Sequence, residues 1–503
     1  MKKTEDKVPW SLLLLVAGVY MLSAKGLIEI SDTDYSLRTA QALVEQGTFL
    51  IDPPDPDFAK VAPKIVDGKI YSKYGVGLVI IFLPIVILSK GIALIPGASE
   101  SITTGFLISF YNVPFAILSL CFFHKICIIL GAKTRGATLA TLILAIGTFF
   151  WKYTVTDYSE ITQLFFLLGT AYYLLRGKGN DSVKASMMFS CLLLLKVVNI
   201  IIWGPCALYL ILRHGGVNKE SFHHLIRFGS IVFLTGLGLL LYNHLRFGTP
   251  WETGYSISGA NFTLANFKRD FLDYFISPQR GVFAFNPVLL VPLAFWPALY
   301  KAKRNEAIFL ISTIVLWFLL MASWVSYQGG WSWGNRLLLP IIPFLLIPVS
   351  LMKIKMLWQK ISLSLIFIVS LYIQVIAVFQ HTQEYFVIIR DLESNPSVQA
   401  VMPPQLKGNA ILFHQKLAGN SGEYPLDIFI DQDEYRDSEK DVLLTKDYET
   451  YQGLHAWPFH LATFMKQSIL GWLMLPILPL LFFLLINFHK IANQSGTPEP
   501  ELK

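Results

Sequence analysis

The chain has 503 residues, of which 54% are hydrophobic and only 15% are charged. This composition excludes a soluble globular domain and predicts a protein that crosses a membrane many times. Its formal net charge of +7 is explained by basic residues at one membrane face and does not indicate nucleic-acid binding. The four cysteines lie in or beside apolar segments, so no disulfide framework is expected.

The first apolar segment, 10–29, is too long for a secretory signal and has no small-residue cleavage site, so we expect a retained membrane helix. Directly after it comes Ser31-Asp32-Thr33-Asp34-Tyr35. Two carboxylates at a membrane surface are costly to desolvate, which indicates a functional role. A Ser-x-x-Asp pattern is also a common helix start, so helix capping is an alternative explanation. The amphipathic residues that follow predict a helix lying along the membrane.

Clusters of Lys and Arg between the apolar runs predict the topology, because such residues concentrate in cytoplasmic loops. All of these Lys/Arg clusters can be cytoplasmic only if the apolar segment 76–95 does not cross the membrane. We therefore expect 76–95 to form a second membrane-hugging or re-entrant helix. Segment 185–212 is basic at both ends, so it must return to its starting side. Two arms of about 14 residues reach about 21 Å each, short of a core of about 30 Å. Lys196 at the tip therefore indicates a polar cavity opening outward, unless its side chain snorkels to the interface.

These considerations predict an all-α polytopic membrane protein with about twelve transmembrane helices, two juxtamembrane helices in the first outer loop and cytoplasmic termini. The predicted spans are 10–29, 105–127, 136–153, 160–175, 185–197, 199–212, 228–245, 282–300, 306–325, 337–352, 361–380 and 463–488. We divide the chain into three parts: a transmembrane catalytic domain, 1–380, an outward-facing loop or small domain, 381–462, and a last helix with a cytoplasmic tail, 463–503.

Ionisable residues gather on the outward face of this predicted bundle. The acidic candidates are Asp32, Asp34, Asp157 and Glu160, and the basic candidates are Lys196, Arg280 and Arg336. Such groups at one depth suit a reaction that deprotonates a hydroxyl and releases a lipid-linked phosphate. A carboxylate takes the proton, and the cations stabilise the charge that develops on the phosphate. The alternative is that these residues merely occupy the interface, where charges cost little.

Aromatic residues beside glycines form a second set in the outer loops. They occur in Tyr71-Ser72-Lys73-Tyr74, in Phe247-Gly248-Thr249-Pro250-Trp251 and in Gly329-Gly330-Trp331-Ser332-Trp333-Gly334. Rings next to backbone donors suit the apolar face of a sugar, whereas an interfacial aromatic belt also explains Trp and Tyr here. Our candidate sugar or acceptor contacts are Tyr35, Lys73, Tyr74, Tyr255, Trp331 and Trp333.

Several motifs together resemble those of bacterial GT-C glycosyltransferases. The first outer loop is similar to the acidic-loop pattern of that family, with Asp32-Thr33-Asp34-Tyr35, Ala40-Gln41-Ala42-Leu43 and Asp67-Gly68-Lys69-Ile70-Tyr71-Ser72-Lys73-Tyr74-Gly75-Val76-Gly77. Three blocks resemble its mannosyltransferase-like and arabinofuranosyltransferase-like branches: Arg246-Phe247-Gly248-Thr249-Pro250, Ser277-Pro278-Gln279-Arg280-Gly281 and Gly329-Gly330-Trp331-Ser332-Trp333-Gly334-Asn335-Arg336. The resemblance implies the GT-C fold and a polyprenyl-phosphate sugar as donor.

The resemblance also implies roles for individual residues. The family carries an acidic base in the first loop, for which Asp32 is the best positional match. This chain has Asp-Thr-Asp where the family commonly has Asp-Glu, so Asp34 remains an alternative. A second polar residue at the start of the fourth span is matched by Asp157 or Glu160.

We therefore predict an inverting hexosyl- or pentosyltransferase that moves a sugar from polyprenyl phosphate to a glycan, lipid or protein hydroxyl. We expect it in a bacterial inner membrane, with its site facing outward and with membrane lipids around it. No metal or other cofactor is predicted, although Asp32 with Asp157 is a possible divalent-cation pair. The alternatives are a lipid-linked glycan flippase, or a polymerase or ligase that works through 381–462. We expect the histidines in or beside that segment to be ordinary surface residues: His381, His414, His455 and His460.

Overall fold

The computed structural model describes residues 8–52, 64–255, 262–326, 329–393, 403–418, 453–460 and 465. These residues are predominantly helical, as predicted. The strands within them form a single hairpin, in which β1 (Lys64–Val66) pairs antiparallel with β2 (Lys69–Tyr71). The hairpin lies in the first predicted outer loop.

The α-helices follow in chain order. They are α1 Trp10–Ser23, α2 Ser31–Gln46, α3 Val76–Ala93, α4 Glu100–Ser109, α5 Asn112–Ile129, α6 Thr134–Gly147, α7 Phe150–Thr154, α8 Glu160–Arg176, α9 Asp181–Leu195, α10 Trp203–Arg213, α11 Lys219–Phe247, α12 Leu264–Asp270, α13 Asp273–Ile276, α14 Val282–Phe285, α15 Leu290–Leu293, α16 Trp296–Ala302, α17 Arg304–Ser323, α18 Ile342–Leu346, α19 Leu357–Phe379, α20 Thr382–Glu393 and α21 Gln405–Leu417. Short 3₁₀ helices cover Val197–Ile202, Pro287–Leu289, Arg336–Ile341, Ile347–Leu351 and Trp457–His460.

Five helical segments in the described part are long and apolar enough to cross a membrane. They are α3, the α4–α5 pair (Glu100–Ile129), α11, α17 and α19. The last four coincide with the predicted spans 105–127, 228–245, 306–325 and 361–380. Length and composition also permit α3 to cross, so its predicted position along the membrane stays a prediction, as does the count of twelve. The predicted span 463–488 lies outside the described residues except at Met465.

Two predicted spans are not single α-helices. The segment 282–300 consists of α14, a 3₁₀ turn, α15 and α16, and the segment 337–352 consists of α18 between two 3₁₀ helices. Prolines recur through both segments, at Pro287, Pro292, Pro297, Pro340, Pro343 and Pro348. Each proline lacks a backbone N–H and crowds the preceding turn, which favours a kink or break in the helix at these positions.

The segment from α9 to α10 is the short hairpin that the sequence predicts. Arg213, the last residue of α10, donates to the carbonyl oxygens of Leu174 and Leu175 near the end of α8, at 3.0 Å each. The segment therefore ends on the side where α9 began. Its tip lies at the other end of α8, where Lys196 contacts Glu160.

The acidic loop forms α2, which packs on α3. Ile30 is the residue that precedes the first helical turn, and no side chain caps that turn, so the helix-capping explanation of Ser31 is wrong. The apolar side of α2 buries Leu37 and Ala40 against Leu78 and Phe82 of α3. This packing fixes the direction of α2 and places its acidic first turn near the N-terminal end of α8.

The described parts of 381–462 pack directly on the rest of the protein. The His455 N–H donates to Phe379 O at 2.8 Å, and the Trp457 N–H donates to Ala24 O at 2.8 Å. The Gly334 N–H donates to Oε1 of Gln405 in α21 at 3.0 Å. The segment therefore adjoins both α1 and the loop around 329–334, while the proposed three-part division of the chain stays a prediction.

Candidate functional site

Four of the predicted ionisable residues meet in one cluster. Lys196 Nζ lies 2.8 Å from Glu160 Oε1. Arg336 Nη1 lies 3.5 Å from the same Glu160 oxygen and 3.3 Å from Asp32 Oδ2. Two carboxylates and two cations therefore form a continuous chain, Asp32–Arg336–Glu160–Lys196, which we call the charged cluster.

Each member of the charged cluster stands at the end of a helix. Asp32 is in the first turn of α2, Glu160 begins α8, Lys196 directly follows α9, and Arg336 begins a 3₁₀ helix. Helix ends are where backbone direction changes, so side chains from four separate elements can converge there. The sequence places them up to 304 positions apart, and only the packing of these helices brings them together.

The position of Lys196 is fixed by its neighbours. The amide of Asn199 donates to Leu192 O at 3.1 Å and to Lys196 O at 2.9 Å, which satisfies carbonyl groups at the end of α9. Its Oδ1 accepts from Gln163 Nε2 of α8 at 2.7 Å. A side chain at Gly75 would bring a Cβ to 2.5 Å from the carbonyl oxygens of Leu194 and Leu195. Glycine therefore lets the loop carrying Tyr74 lie against this helix end.

Tyrosines cover one side of the cluster. The Tyr74 hydroxyl donates to Asp32 Oδ1 at 2.6 Å. The Tyr35 and Tyr255 rings each lie 6.1 Å from the Tyr74 ring, and Lys73 Nζ lies 5.6 Å from the Tyr255 ring centroid. Four of the predicted sugar or acceptor contacts are thus adjacent to Asp32.

The surroundings of Asp32 keep it ionised. Burial raises the pKa of this carboxyl, but the charge of Arg336, the hydrogen bond from Tyr74 and the charge of Lys196 outweigh burial and leave its pKa below the ordinary value. Burial is also the main cause that raises the pKa of Tyr74, with the Asp32 charge second. The hydroxyl therefore stays protonated and remains a donor to the carboxylate.

Glu160 is the most enclosed member of the cluster. Its side chain is 1% exposed, against 23% for Asp32 and 26% for Lys196. Its Oε1 contacts both cations, whereas its Oε2 is buried with no hydrogen-bond partner among the described residues. Asp32 and Lys196 are thus the most exposed members, and Arg336 is 15% exposed.

Asp157 and Asp34 are placed differently from the prediction that grouped them with the base. The Asp157 carboxylate accepts the backbone N–H groups of Glu29 and Ile30 at 3.2–3.3 Å, and its carbonyl oxygen accepts from the Thr33 hydroxyl. It holds the start of α2 in position. Asp34 pairs with Arg38 Nε, one turn further along α2, at 2.7 Å.

Burial is the first cause that raises the pKa of Asp157, and the nearby Glu29 charge adds to it. Both Asp157 oxygens point to backbone amides, while the two Asp32 oxygens receive Tyr74 and Arg336. Asp32 and Asp157 therefore do not share a space for a cation in this arrangement, and the possible divalent-cation pair has no geometric support.

Arg280 organises the glycine-rich loop rather than joining the cluster. Its Nη1 donates to the carbonyl oxygens of Gly330, Ser332 and Gly334 at 3.0–3.3 Å. Gly329, Gly330 and Gly334 all have positive φ, which favours glycine and lets these carbonyls turn toward one guanidinium. The same loop supplies Gly329 O, which accepts from Arg336 Nε at 2.6 Å, so Arg280 acts on the cluster through Arg336.

The two candidate tryptophans lie on opposite sides of this loop. Trp331 stacks on Phe386 of α20 with ring centroids 5.8 Å apart. Trp333 is fully buried, and its ring meets Phe285 edge-on at 5.0 Å. Trp333 is therefore part of the packed interior, and a role in sugar contact is open only to Trp331.

Sequence reasoning missed the positions of four residues near the site. The Tyr158 ring lies 4.3 Å from the Arg336 guanidinium, and its hydroxyl donates to Trp331 O at 3.1 Å. Glu29 is buried against His381 and His455, so these two histidines are not surface residues as expected. The position of Tyr158 in the sequence, between the candidates Asp157 and Glu160, could have indicated that it lies near the site. The contacts of the two histidines follow only from the fold.

The chain was compared with family models, curated proteins and solved structures. No family model matches the chain, and no curated protein matches its sequence. The structure is similar to ArnT from Cupriavidus metallidurans bound to undecaprenyl phosphate, with a TM-score of 0.48 and 13% identity over 82% of this chain and 70% of ArnT. It is also similar to the oligosaccharyltransferase AglB from Archaeoglobus fulgidus in complex with an inhibitory peptide and a dolichol-phosphate, with a TM-score of 0.45 and 14% identity.

The match to AglB covers 77% of this chain but only 58% of AglB. A second structure of the Archaeoglobus fulgidus oligosaccharyltransferase, in the apo form, gives a TM-score of 0.46 and 11% identity, with 78% of this chain and 59% of the other covered. All of these TM-scores lie below 0.5, so the GT-C fold stays a prediction. At this level of similarity they assign no activity, substrate or branch of the family to the chain.

Proposed function

We propose that this protein is a glycosyltransferase that moves a sugar from a polyprenyl-phosphate donor to a hydroxyl acceptor. The observation that carries the proposal is the charged cluster, in which an ionised carboxylate lies next to two cations at one end of the helical bundle. Transfer of this kind needs a base for the acceptor and positive charge for the departing phosphate. The cluster supplies both within one chain of contacts.

Asp32 is the proposed base. Its side chain is partly exposed, and its lowered pKa keeps it ionised at neutral pH. An acceptor hydroxyl that replaces Tyr74 at Oδ1 would donate its hydrogen bond to the same oxygen and lose its proton to it during attack. Asp34 is the weaker candidate, because its carboxylate pairs with Arg38 of its own helix, whereas the Asp32 carboxylate contacts Arg336 of the charged cluster.

Lys196 and Arg336 are the proposed phosphate ligands. Both touch Glu160 Oε1, so their cationic groups lie close enough together to bind one phosphate. Glu160 holds the two cations before the donor arrives, and its own burial prevents it from leaving the site. As the sugar–phosphate bond breaks, charge grows on the phosphate, and positioned cations stabilise that charge more than they stabilise the bound donor.

The tyrosines beside Asp32 are the proposed sugar or acceptor contacts. Tyr35, Tyr74 and Tyr255 form adjacent rings, with Lys73 next to them. Attack by the acceptor from the Asp32 side, opposite the phosphate on Lys196 and Arg336, would invert the anomeric centre. We further propose that the donor enters sideways from the bilayer and that transfer occurs on the outer face of a bacterial inner membrane.

The test uses the full-length protein in lipid nanodiscs with a panel of polyprenyl-phosphate sugars, including arabinofuranosyl and mannosyl donors. Membrane glycan, lipid and protein fractions serve as acceptors. We expect free polyprenyl phosphate and a glycosylated acceptor to form together with one donor of the panel, and the product's anomeric configuration to be inverted. If no donor reacts and labelled lipid-linked sugar instead moves between vesicle leaflets, the protein is a transporter and the proposal is wrong.

A further inference from the structure

Three residues that are far apart in the sequence meet in a buried cluster beside the proposed site. Glu29 Oε1 lies 2.5 Å from His455 Nε2 and 3.1 Å from His381 Nε2. The two imidazole rings are 4.1 Å apart, and the exposed fractions of the three side chains are 6% for Glu29, 6% for His455 and 11% for His381. Two ring nitrogens thus point at the same carboxylate oxygen from two different parts of the chain.

The donor set is one that transition metals prefer. Two imidazole nitrogens and one carboxylate oxygen form a common three-residue ligand set for Zn²⁺, with a fourth position left for water. The ligand atoms all lie within 4.8 Å of one another. Around one ion at bond lengths of about 2.0–2.2 Å the donors would be roughly 3.4 Å apart, so Glu29 Oε1 and His455 Nε2 would move apart from their present 2.5 Å on binding. We propose that Glu29, His381 and His455 form a binding site for a transition-metal ion, with Zn²⁺ as the best fit.

The backbone around the trio is held on several sides. The His455 N–H donates to Phe379 O, and its carbonyl oxygen accepts from Lys25 Nζ at 2.6 Å. Lys25 also donates to Val378 O, so both of these hydrogen bonds from Lys25 go to backbone carbonyl groups. Supporting contacts of this kind are what fix the orientation of metal ligands.

A nearby lysine also interacts with the negative charge of Glu29. Glu29 and Asp157 both interact electrostatically with the Lys152 ammonium. Binding of a divalent ion adds charge that Glu29 partly neutralises directly, while water at the fourth position completes the shell.

A second trio in the described part of the chain is a weaker candidate. His214, Glu220 and His224 also place three donor atoms close together. Glu220 is 69% exposed, and the two imidazole rings stack on each other at 4.4 Å instead of converging on a shared point. This trio serves as a background to be removed in the experiment.

The proposed ion would connect the segment that carries His455 to the residues that position the base. The Glu29 and Ile30 N–H groups bind the Asp157 carboxylate, and Thr33 binds the Asp157 carbonyl. The Glu29 carbonyl oxygen also accepts from Gln383 Nε2 of α20 at 3.0 Å. An ion on Glu29 therefore stabilises the start of α2, next to Asp32, without contacting the reacting atoms.

The experiment measures bound metal in the full-length protein, purified without a histidine tag and stripped with a chelator. All variants carry His214→Ala, which removes the second trio. After incubation with low-micromolar Zn²⁺ and desalting, zinc per chain is measured by mass spectrometry. We expect one equivalent in the parent and in His414→Ala, a control in the neighbouring α21, and a loss of nearly that whole equivalent in His381→Ala and His455→Ala.

Two further measurements keep the test decisive if an alanine variant fails to fold. His455→Cys retains a zinc ligand and should keep the bound equivalent. Co²⁺ bound to the folded parent should give the visible absorption of a four-coordinate site. A monodisperse parent that retains no zinc and shows no such absorption overturns the proposal, as does equal zinc content in the parent and in a folded His381→Ala/His455→Ala variant. Glycosyl transfer is not measured, so the outcome is independent of the proposed function.

Discussion

Both ends of α8 carry acidic and basic residues, but these charged groups are more fully paired at one end than at the other. At the Arg176 end, Arg176 forms a two-point ion pair with Asp181 at 2.5 and 2.7 Å, and Arg213 covers the carbonyl oxygens of Leu174 and Leu175. At the Glu160 end, the contacts to Arg336 are longer, at 3.3 and 3.5 Å. One Glu160 oxygen has no partner among the described residues.

This difference distinguishes charged residues that stabilise the fold from charged residues that are placed to bind a ligand. Cations at the carboxyl end of a helix satisfy carbonyl groups and interact well with the helix dipole, so the Arg176 end is explained by stability alone. A buried carboxylate with an unpaired oxygen costs free energy. Its retention beside two cations at the Glu160 end is explained when a third group, such as a phosphate, joins the cluster.

The largest expected difference between the ends is in access from outside the cell. Lys69 lies on the hairpin next to the Glu160 end, Lys178 follows the Arg176 end, and both are exposed. In a Cys191→Ser background, an impermeant thiol reagent added to intact cells should label Lys69→Cys and not Lys178→Cys. Labelling after cell lysis is the control for reactivity. The reverse pattern would place the proposed site in the cytoplasm and contradict the topology.

The next largest effect is on the rate of transfer in Asp32→Asn. Loss of a general base typically costs about 10²–10⁴ in rate, and asparagine keeps the size of the side chain. Asp34→Asn is the matched control on the same helix and should retain most of the rate in a single-turnover assay. Loss of activity in Asp34→Asn with retention in Asp32→Asn would transfer the role of base to Asp34.

Removal of the cations should slow the reaction by a smaller factor. Loss of one preorganised charge-stabilising donor costs about 10²–10³ in rate, or roughly 2–4 kcal/mol, so we expect this range for Lys196→Ala and Arg336→Gln. Donor binding, measured by equilibrium titration, should weaken less than the rate falls. Weaker binding with an unchanged rate of the chemical step would make these residues docking contacts only.

The Arg336→Gln variant should also change the pH dependence. Burial raises the Asp32 pKa, and the Arg336 charge is the largest of the effects that lower it. Without that charge the pKa rises, so the base becomes protonated at a higher pH and activity is lost earlier as the pH falls. The acid limb of the single-turnover rate profile should therefore move to higher pH in Arg336→Gln and stay in place in Arg38→Gln.

The smallest effect on transfer is expected at the opposite end of α8. Arg213→Gln leaves the Leu174 and Leu175 carbonyl groups without their donor, which costs about 1–3 kcal/mol of stability. Thermal unfolding in detergent should show a lower Tm, while the transfer rate of the folded protein stays near that of wild type. A rate loss comparable to that of Lys196→Ala would show that the two ends are not functionally distinct.

Local sequence patterns predicted much of the helical architecture. The apolar runs predicted α8, α11, α17 and α19, and the basic residues at both ends of 185–212 predicted a hairpin with Lys196 at its tip. Prolines in 282–300 and 337–352 were visible in the sequence, but their effect is tertiary. Neighbouring helices decide whether a proline kinks a span or divides it into short pieces.

The candidate site was predicted only in part. Asp32, Glu160, Lys196 and Arg336 were grouped by their predicted depth in the membrane, and the structure brings these four into contact. Predicted depth gives one coordinate and leaves the other two undetermined. Arg280 and Trp333 were assigned to the same side but belong to the glycine-rich loop and the packed interior, respectively.

The sequence by itself determined that this is a helical membrane protein with acidic and basic residues near helix ends, since composition and hydrophobic periodicity are local properties. Only the tertiary structure decided which of those charges touch. It separated Asp32 from Asp34 and Asp157, and it brought His381 and His455 to Glu29. The physical reason is that contacts between ionisable groups depend on distances of a few ångströms, which are set by how helices pack across hundreds of intervening residues.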